Sequence, residues 1–143
     1  MILEKQPKSM VIIGAGAIGV EFGYIYNAFG TEVTIIEMMP NLLPVEDDDV
    51  SDAITKSYRK AGINCLTDTK VTGTRDNGSS VTITVENSGG TKEITADCCL
   101  VAIGVAPVLP GGQQPKLTDR GWVEISNHYE TSLPNVYAIG DIA

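Results

Sequence analysis

Gly14, Gly16 and Gly19 lie in the run Gly14-Ala15-Gly16-Ala17-Ile18-Gly19, a G-x-G-x-x-G spacing. That spacing suits a backbone cradle for the pyrophosphate of a dinucleotide. The first glycine makes a tight turn, the second lets the main chain approach the phosphates, and the third lets a helix pack closely on a strand. The free N–H groups and positive dipole end of that helix then face the anion. By itself the motif is weak, but here an apolar strand-like run precedes it, a helix-like run follows, and an acid closes the next strand. That acid is Glu37, 23 residues beyond Gly14, against the roughly 20 expected of a ribose-binding carboxylate. A carboxylate there can accept hydrogen bonds from both adenosine ribose hydroxyls, and it repels a 2′-phosphate. No Arg or Lys occurs between Glu37 and Lys56. The reading is NAD rather than NADP.

Other candidates carry less. Glu21 lies in the first turns of the helix, where the macrodipole already favours an acid. Gly104 and Gly140 each follow an apolar run, at the strand edge where open α/β sheets hold ligands. Asp141 can accept from a cofactor hydroxyl there or cap a following helix. His128, between Asn127 and Tyr129, reads as a surface residue. The Asp47–Asp49 run is explained by helix N-terminal charge without a metal ion, and Trp122 by packing. Cys65, Cys98 and Cys99 show no C-x-x-C spacing. Cys98 and Cys99 are expected on opposite faces of a strand, as small buried thiols of a reducing compartment.

The elements that must position these groups follow from pattern. Residues 1–9 read as a leading linker, and Met10–Ile13 as a buried strand. Ala17–Phe29 reads as a helix with Ile18, Phe22, Ile25 and Phe29 at helical spacing and Gly30 as its cap. Thr31–Ile36 is the next strand. After a loop to Glu46, Asp47–Asp49 open a second helix whose stripe is Val50, Ala53, Ile54, Ser57, Tyr58 and Ala61, ended by Gly62. Ile63–Leu66 is a third strand. Val71–Arg75, Val81–Val85 and Glu93–Ala96 alternate in polarity between the turn signals Asp76-Asn77-Gly78 and Ser88-Gly89-Gly90. They form an antiparallel three-stranded meander that serves as a crossover. Asp97–Ile103 returns as an apolar strand, Trp122–Ile125 as a small strand, and Val136–Ile139 as a last buried strand. The fold class is α/β: a Rossmann-type parallel sheet with an antiparallel three-stranded β-meander crossover.

The 143 residues, 43% hydrophobic and 20% charged, suit one globular domain. No apolar run reaches the roughly 20 residues a spanning helix needs, and no secretory signal is evident. The net charge of −8 disfavours nucleic acid and anionic membranes as partners.

These residues together resemble the pyridine nucleotide–disulfide oxidoreductases, and among them those acting on dihydrolipoamide. The likeness runs through Pro7-Lys8-Ser9, Val11–Gly16, Gly19-Val20-Glu21, Val33–Glu37, Leu42-Leu43-Pro44, Thr69–Gly73, Val101–Gly104 and Thr131–Asp141. It implies a single NAD-binding domain over 1–143, cut from a larger FAD-dependent enzyme that works as a homodimer in the cytoplasm or an organelle matrix. It also implies that Gly14, Ala15, Gly16, Ala17, Ile18, Gly19, Val20 and Glu21 line the pyrophosphate and nicotinamide. Glu37 would then hold the adenosine ribose and Val71 the adenine. Gly104 would approach the nicotinamide half, Glu21 would stand near flavin and nicotinamide, and Asp141 would contact the FAD ribityl–phosphate region. Such enzymes carry a Cys-x4-Cys disulfide upstream and a His–Glu pair downstream; neither pattern occurs here, so the chain alone is expected to bind NAD without turnover. Two places depart from the family: Val105 stands where Arg is usual, and the Pro107–Gly121 loop is short. An NADH oxidase or peroxidase with one redox cysteine, another NAD-linked flavoprotein reductase, and a stand-alone non-catalytic NAD sensor remain open.

Overall fold

The computed structural model describes residues 3–143; Met1 and Ile2, the start of the expected linker, lie outside them. The chain divides into two compact units, Met1–Gly104 and Val105–Ala143. In the first, β1 (Ser9–Ile13) leads to α1 (Ala17–Ala28), β2 (Glu32–Ile36), α2 (Asp48–Lys60) and β3 (Asn64–Leu66). Then come β4 (Lys70–Asp76), β5 (Val81–Asn87), β6 (Gly90–Ala96) and β7 (Cys98–Val101).

Four strands make a parallel sheet in the order β3-β2-β1-β7, and β4-β5-β6 make the expected separate antiparallel sheet. Because successive strand residues point to opposite faces, β1 feeds two cores. Met10 and Ile12 pack with Val33, Ile35, Val20 of α1 and Tyr58 of α2. Val11 packs with Ile36 and with Ile83, Val85 and Ala96 of the meander. A parallel sheet covered on both faces needs apolar residues in succession, which is why β1 shows no alternation. Cys98 joins the helix-side core and Cys99 the meander-side core, as expected of neighbours in a strand. Burial pushes both thiols above their ordinary pKa, keeping them protonated and poorly nucleophilic.

The helices form where periodicity places them, but the faces they bury differ. Helix α1 buries Gly19, Val20 and Gly23. Of the expected stripe, Ile18 and Ile25 are each 45% exposed and Phe29 is 72% exposed. Only Phe22 packs on the core, stacking on Tyr26 with ring centroids 6.4 Å apart. The cause is the glycine face: a Cβ on Gly23 would come within 2.8 Å of Ile35 Cδ1, so bare backbone meets the sheet there. Helix α2 keeps part of its expected stripe, burying Tyr58 and packing Ile54 on the core, but it also buries Ser51 while Val50, Ala53, Ser57 and Ala61 lie at the surface. The Tyr58 hydroxyl donates to Val20 O at 2.6 Å and ties α2 to α1. Asp48 and Asp49 at its start and Arg59 and Lys60 at its end complement the helix dipole.

Strand β7 (Cys98–Val101) is shorter than the expected Asp97–Ile103; just before it, Asp97 N–H donates to Ser9 Oγ at 3.0 Å. Its carboxylate accepts from the backbone N–H groups of Lys8 at 2.7 Å and Ser9 at 3.2 Å. The meander turns follow their sequence signals: Gly78 N–H donates to Asp76 Oδ1 and Gly89 N–H to Asn87 Oδ1.

The second unit corrects two expectations. Trp122–Ile125 and Val136–Ile139 form no strands; the unit holds only the isolated bridges Leu117↔Val123 and Glu130↔Tyr137. Val123 and Ala138 are buried, but Ile139 is 72% exposed. A short β-branched run becomes a buried strand only when neighbours hydrogen-bond both edges and cover both faces, and this unit supplies only those single bridges. His128 lies in an exposed turn, its N–H bonded to Ser126 Oγ. Among the described residues no helix is long and apolar enough to cross a membrane.

Candidate dinucleotide site

The C-terminal ends of β1, β2 and β7 lie at one edge of the parallel sheet, the edge where open α/β sheets place ligands. From β1 the chain turns at Gly14, with φ of +100°, a conformation L side chains rarely adopt. The Gly14 N–H donates to Ile36 O at 2.8 Å, and the Ala102 carbonyl beyond β7 occupies the place a Gly14 Cβ would take. A Cβ on Gly19 would overlap the Gly14 carbonyl oxygen, so the first turn of α1 rides directly on the turn that precedes it.

Gly16 is the contrast: a Cβ there would meet no atom within 4 Å. Its open side adjoins the start of α1. Among the described residues, the N–H groups of Gly16, Ala17, Ile18 and Gly19 have no protein acceptor. Val20 N–H turns inward to Gly16 O at 3.0 Å. Free space beside consecutive unpaired donors at a helix start is what a pyrophosphate requires. The residues present fit that group.

Glu37 follows β2 directly and is fixed by its own backbone, donating to Leu66 O at 2.8 Å and accepting from Thr69 N–H at 3.0 Å. Its half-buried carboxylate accepts from two amides, Ala15 N–H at 2.8 Å on Oε2 and Met39 N–H at 2.9 Å on Oε1. A carboxylate has about four acceptor positions, so both oxygens keep capacity for ribose hydroxyls. The Ala15 carbonyl accepts from Leu43 N–H at 2.8 Å, and Leu43 adopts φ of +50°. Neither contact to Ala15 is visible in sequence, since a backbone amide leaves no residue-type signature.

The other candidates are placed as follows. Val71 in β4 is half-buried and packs against the meander-side core, two residues beyond Thr69, which bonds Glu37 O. Gly104 lies three residues past the end of β7 rather than at a strand end, and it is Ala102, two residues earlier, whose carbonyl meets the Gly14 turn. Glu21 is exposed, the fifth residue of α1, and the first turn carries no acid. Dipole stabilisation fades within that first turn, so the helix end gives Glu21 little purpose. Asp141 is an exposed residue of the second unit, preceded by no strand.

A family described as pyridine nucleotide-disulphide oxidoreductase matches residues 1–143, and the chain belongs to that family. Dihydrolipoyl dehydrogenase of Mycobacterium tuberculosis is 46% identical over 140 residues, covering 95% of this chain and 30% of that protein. The enzyme of the same name from Chlorobaculum tepidum is 39% identical over 147 residues, covering 99% and 31%. The chain thus spans about 30% of the length of the curated relatives it matches. Among solved structures, the HOCl-induced flavoprotein disulfide reductase RclA of Escherichia coli superposes with a TM-score of 0.85 at 28% identity, over 98% of this chain and 32% of that one. Reduced CoADR-RHD of Bacillus anthracis gives 0.81 at 30% identity, over 97% and 24%.

Proposed function

We propose that this chain is the NAD-binding domain of a larger FAD-dependent enzyme that oxidises dihydrolipoamide to lipoamide and reduces NAD⁺ to NADH. The observation that carries the reading is the open flank of Gly16, bordered by unpaired N–H groups, with the Glu37 carboxylate bonded to the neighbouring Ala15 amide. The dihydrolipoyl dehydrogenases that match nearly the whole chain supply the substrate. When bound, NAD⁺ would supply the hydride acceptor and FAD the electron relay from the dithiol. This chain's residues bind and orient. The amides of Gly16 to Gly19 receive the pyrophosphate, Glu37 accepts the ribose hydroxyls, and Val71 and Gly104 border the adenine and nicotinamide halves. Asp141 serves FAD in the whole protein, which we read as a homodimer.

Cofactor choice is the direct test. A 2′-phosphate would face Glu37 with no basic side chain in the stretch that follows it, leaving two unpaired like charges. Calorimetry is expected to show NADH binding at least about tenfold more tightly than NADPH, a difference of ~1.4 kcal/mol. Equal or stronger NADPH binding would overturn the role given to Glu37.

Glu21 gives a second test. As an exposed residue past the helix's first turn, Glu21→Gln should change unfolding by no more than about 0.5 kcal/mol. In the full-length, FAD-loaded enzyme the same substitution is expected to slow flavin reduction by NADH in stopped flow. An unaltered rate with a lowered melting temperature would make Glu21 structural.

A further inference from the structure

The Glu37 carboxylate is engaged by the protein alone. Oε2 holds the Ala15 amide, from inside the glycine run, and Oε1 holds the Met39 amide, two residues along its own chain. On its other side Ala15 is held through its carbonyl by Leu43 N–H at 2.8 Å. Leu43 is itself anchored, its carbonyl accepting from the buried Ser51 side chain at 3.3 Å. Leu43 also keeps a left-handed φ of +50°, which non-glycine residues adopt at some cost. Ala15 is therefore gripped at both peptide groups, from the end of β2 and from the loop before α2. The residue after it, Gly16, has open space, and its N–H is unpaired among the described residues.

We propose that Glu37 is a positioning residue for the glycine loop as well as a ribose acceptor: by holding Ala15 it sets the Gly16–Gly19 amides in their phosphate-binding arrangement before any nucleotide arrives. The proposal rests on the dinucleotide reading and deepens it. A loop ordered in advance loses less conformational freedom on binding, so part of the affinity for the phosphates passes through Glu37 without touching them. The electrostatic expectation has the opposite sign. Glu37 carries a negative charge beside a site for an anion, so its removal without the clamp would tighten binding of a phosphate group.

A ligand lacking the ribose hydroxyls separates the two roles. ADP and 2′,3′-dideoxy-ADP are titrated calorimetrically into the protein and into Glu37→Ala, with circular dichroism to verify folding. If Glu37 positions the loop, Glu37→Ala binds dideoxy-ADP about tenfold more weakly, the scale of one lost charge-assisted hydrogen bond, and ADP more weakly still. If Glu37 acts through ribose alone, Glu37→Ala loses affinity for ADP only and binds dideoxy-ADP as well as or better than the parent; that result overturns the proposal. A parent protein binding neither ligand would remove the dinucleotide reading, and the proposal with it. Should Glu37→Ala not fold, amide exchange in the unmutated, nucleotide-free protein decides. The clamp leaves the Ala15 amide exchanging at least about tenfold more slowly than the unpaired Ala17 amide, and equal rates overturn it.

Discussion

Gly16→Val is expected to leave the fold standing and remove dinucleotide binding. Gly16 has φ of −69° and ψ of −178°, an extended conformation open to any L residue, and a Cβ there meets nothing within 4 Å. The structural penalty is confined to exchanging a tolerated N-cap residue for a poor one, about 1 kcal/mol. Binding is another matter. The isopropyl group fills the space beside the Gly16, Ala17 and Ile18 amides, where phosphate oxygens must come within hydrogen-bond distance. Two or more lost charge-assisted bonds weaken NADH binding by about a hundredfold or more. Calorimetry beside a thermal melt checks both halves. A variant that binds NADH as the parent does would show that the phosphates lie elsewhere; one that fails to fold would show that Gly16 is structural.

What could be read from residue order is what depends on residue type. The glycine run, the acid after β2, the two meander turns and the two-sided burial of β1 each have a local signature, and each is where spacing puts it. What escaped depends on geometry between distant segments. The stripe Ile18, Ile25 and Phe29 has helical period, yet α1 turns its glycine face to the sheet because backbone can approach Ile35 more closely than side chains can. Hydrophobic periodicity gives glycine almost no weight, so it selects the wrong face of such a helix. Val136–Ile139 failed for a related reason. Its composition is that of a central strand, but strand formation is decided by neighbours, and the second unit gives this segment one isolated bridge, Glu130↔Tyr137. The grip of Glu37 and Leu43 on Ala15 escaped because what it holds is the Ala15 main chain, whose atoms are common to every residue.

Gly19→Ala is expected to damage the fold itself, although it adds one methyl group and improves helix propensity. In α1 that methyl would overlap the Gly14 carbonyl oxygen and reach Ile12 Cγ2 at 3.4 Å. The oxygen is main chain, and Gly14 cannot yield: its N–H is bonded to Ile36 O, and its Cα is backed by the Ala102 carbonyl. Relief must come from lifting the start of α1 off β1, which opens the core around Val20 and strains the Tyr58 bond to Val20 O. Overpacking against fixed backbone costs about 3 kcal/mol, far above the propensity gain of about 1 kcal/mol. Gly23→Ala is the internal control. Its added Cβ would meet Ile35 Cδ1 at 2.8 Å, but that atom ends a flexible side chain and can rotate away, so the net change stays within about 1 kcal/mol. Denaturant unfolding of the two variants beside the parent measures the difference. If Gly19→Ala unfolds at the parent's midpoint, α1 does not ride on the Gly14 turn, and the glycine run owes its third member to something other than close packing.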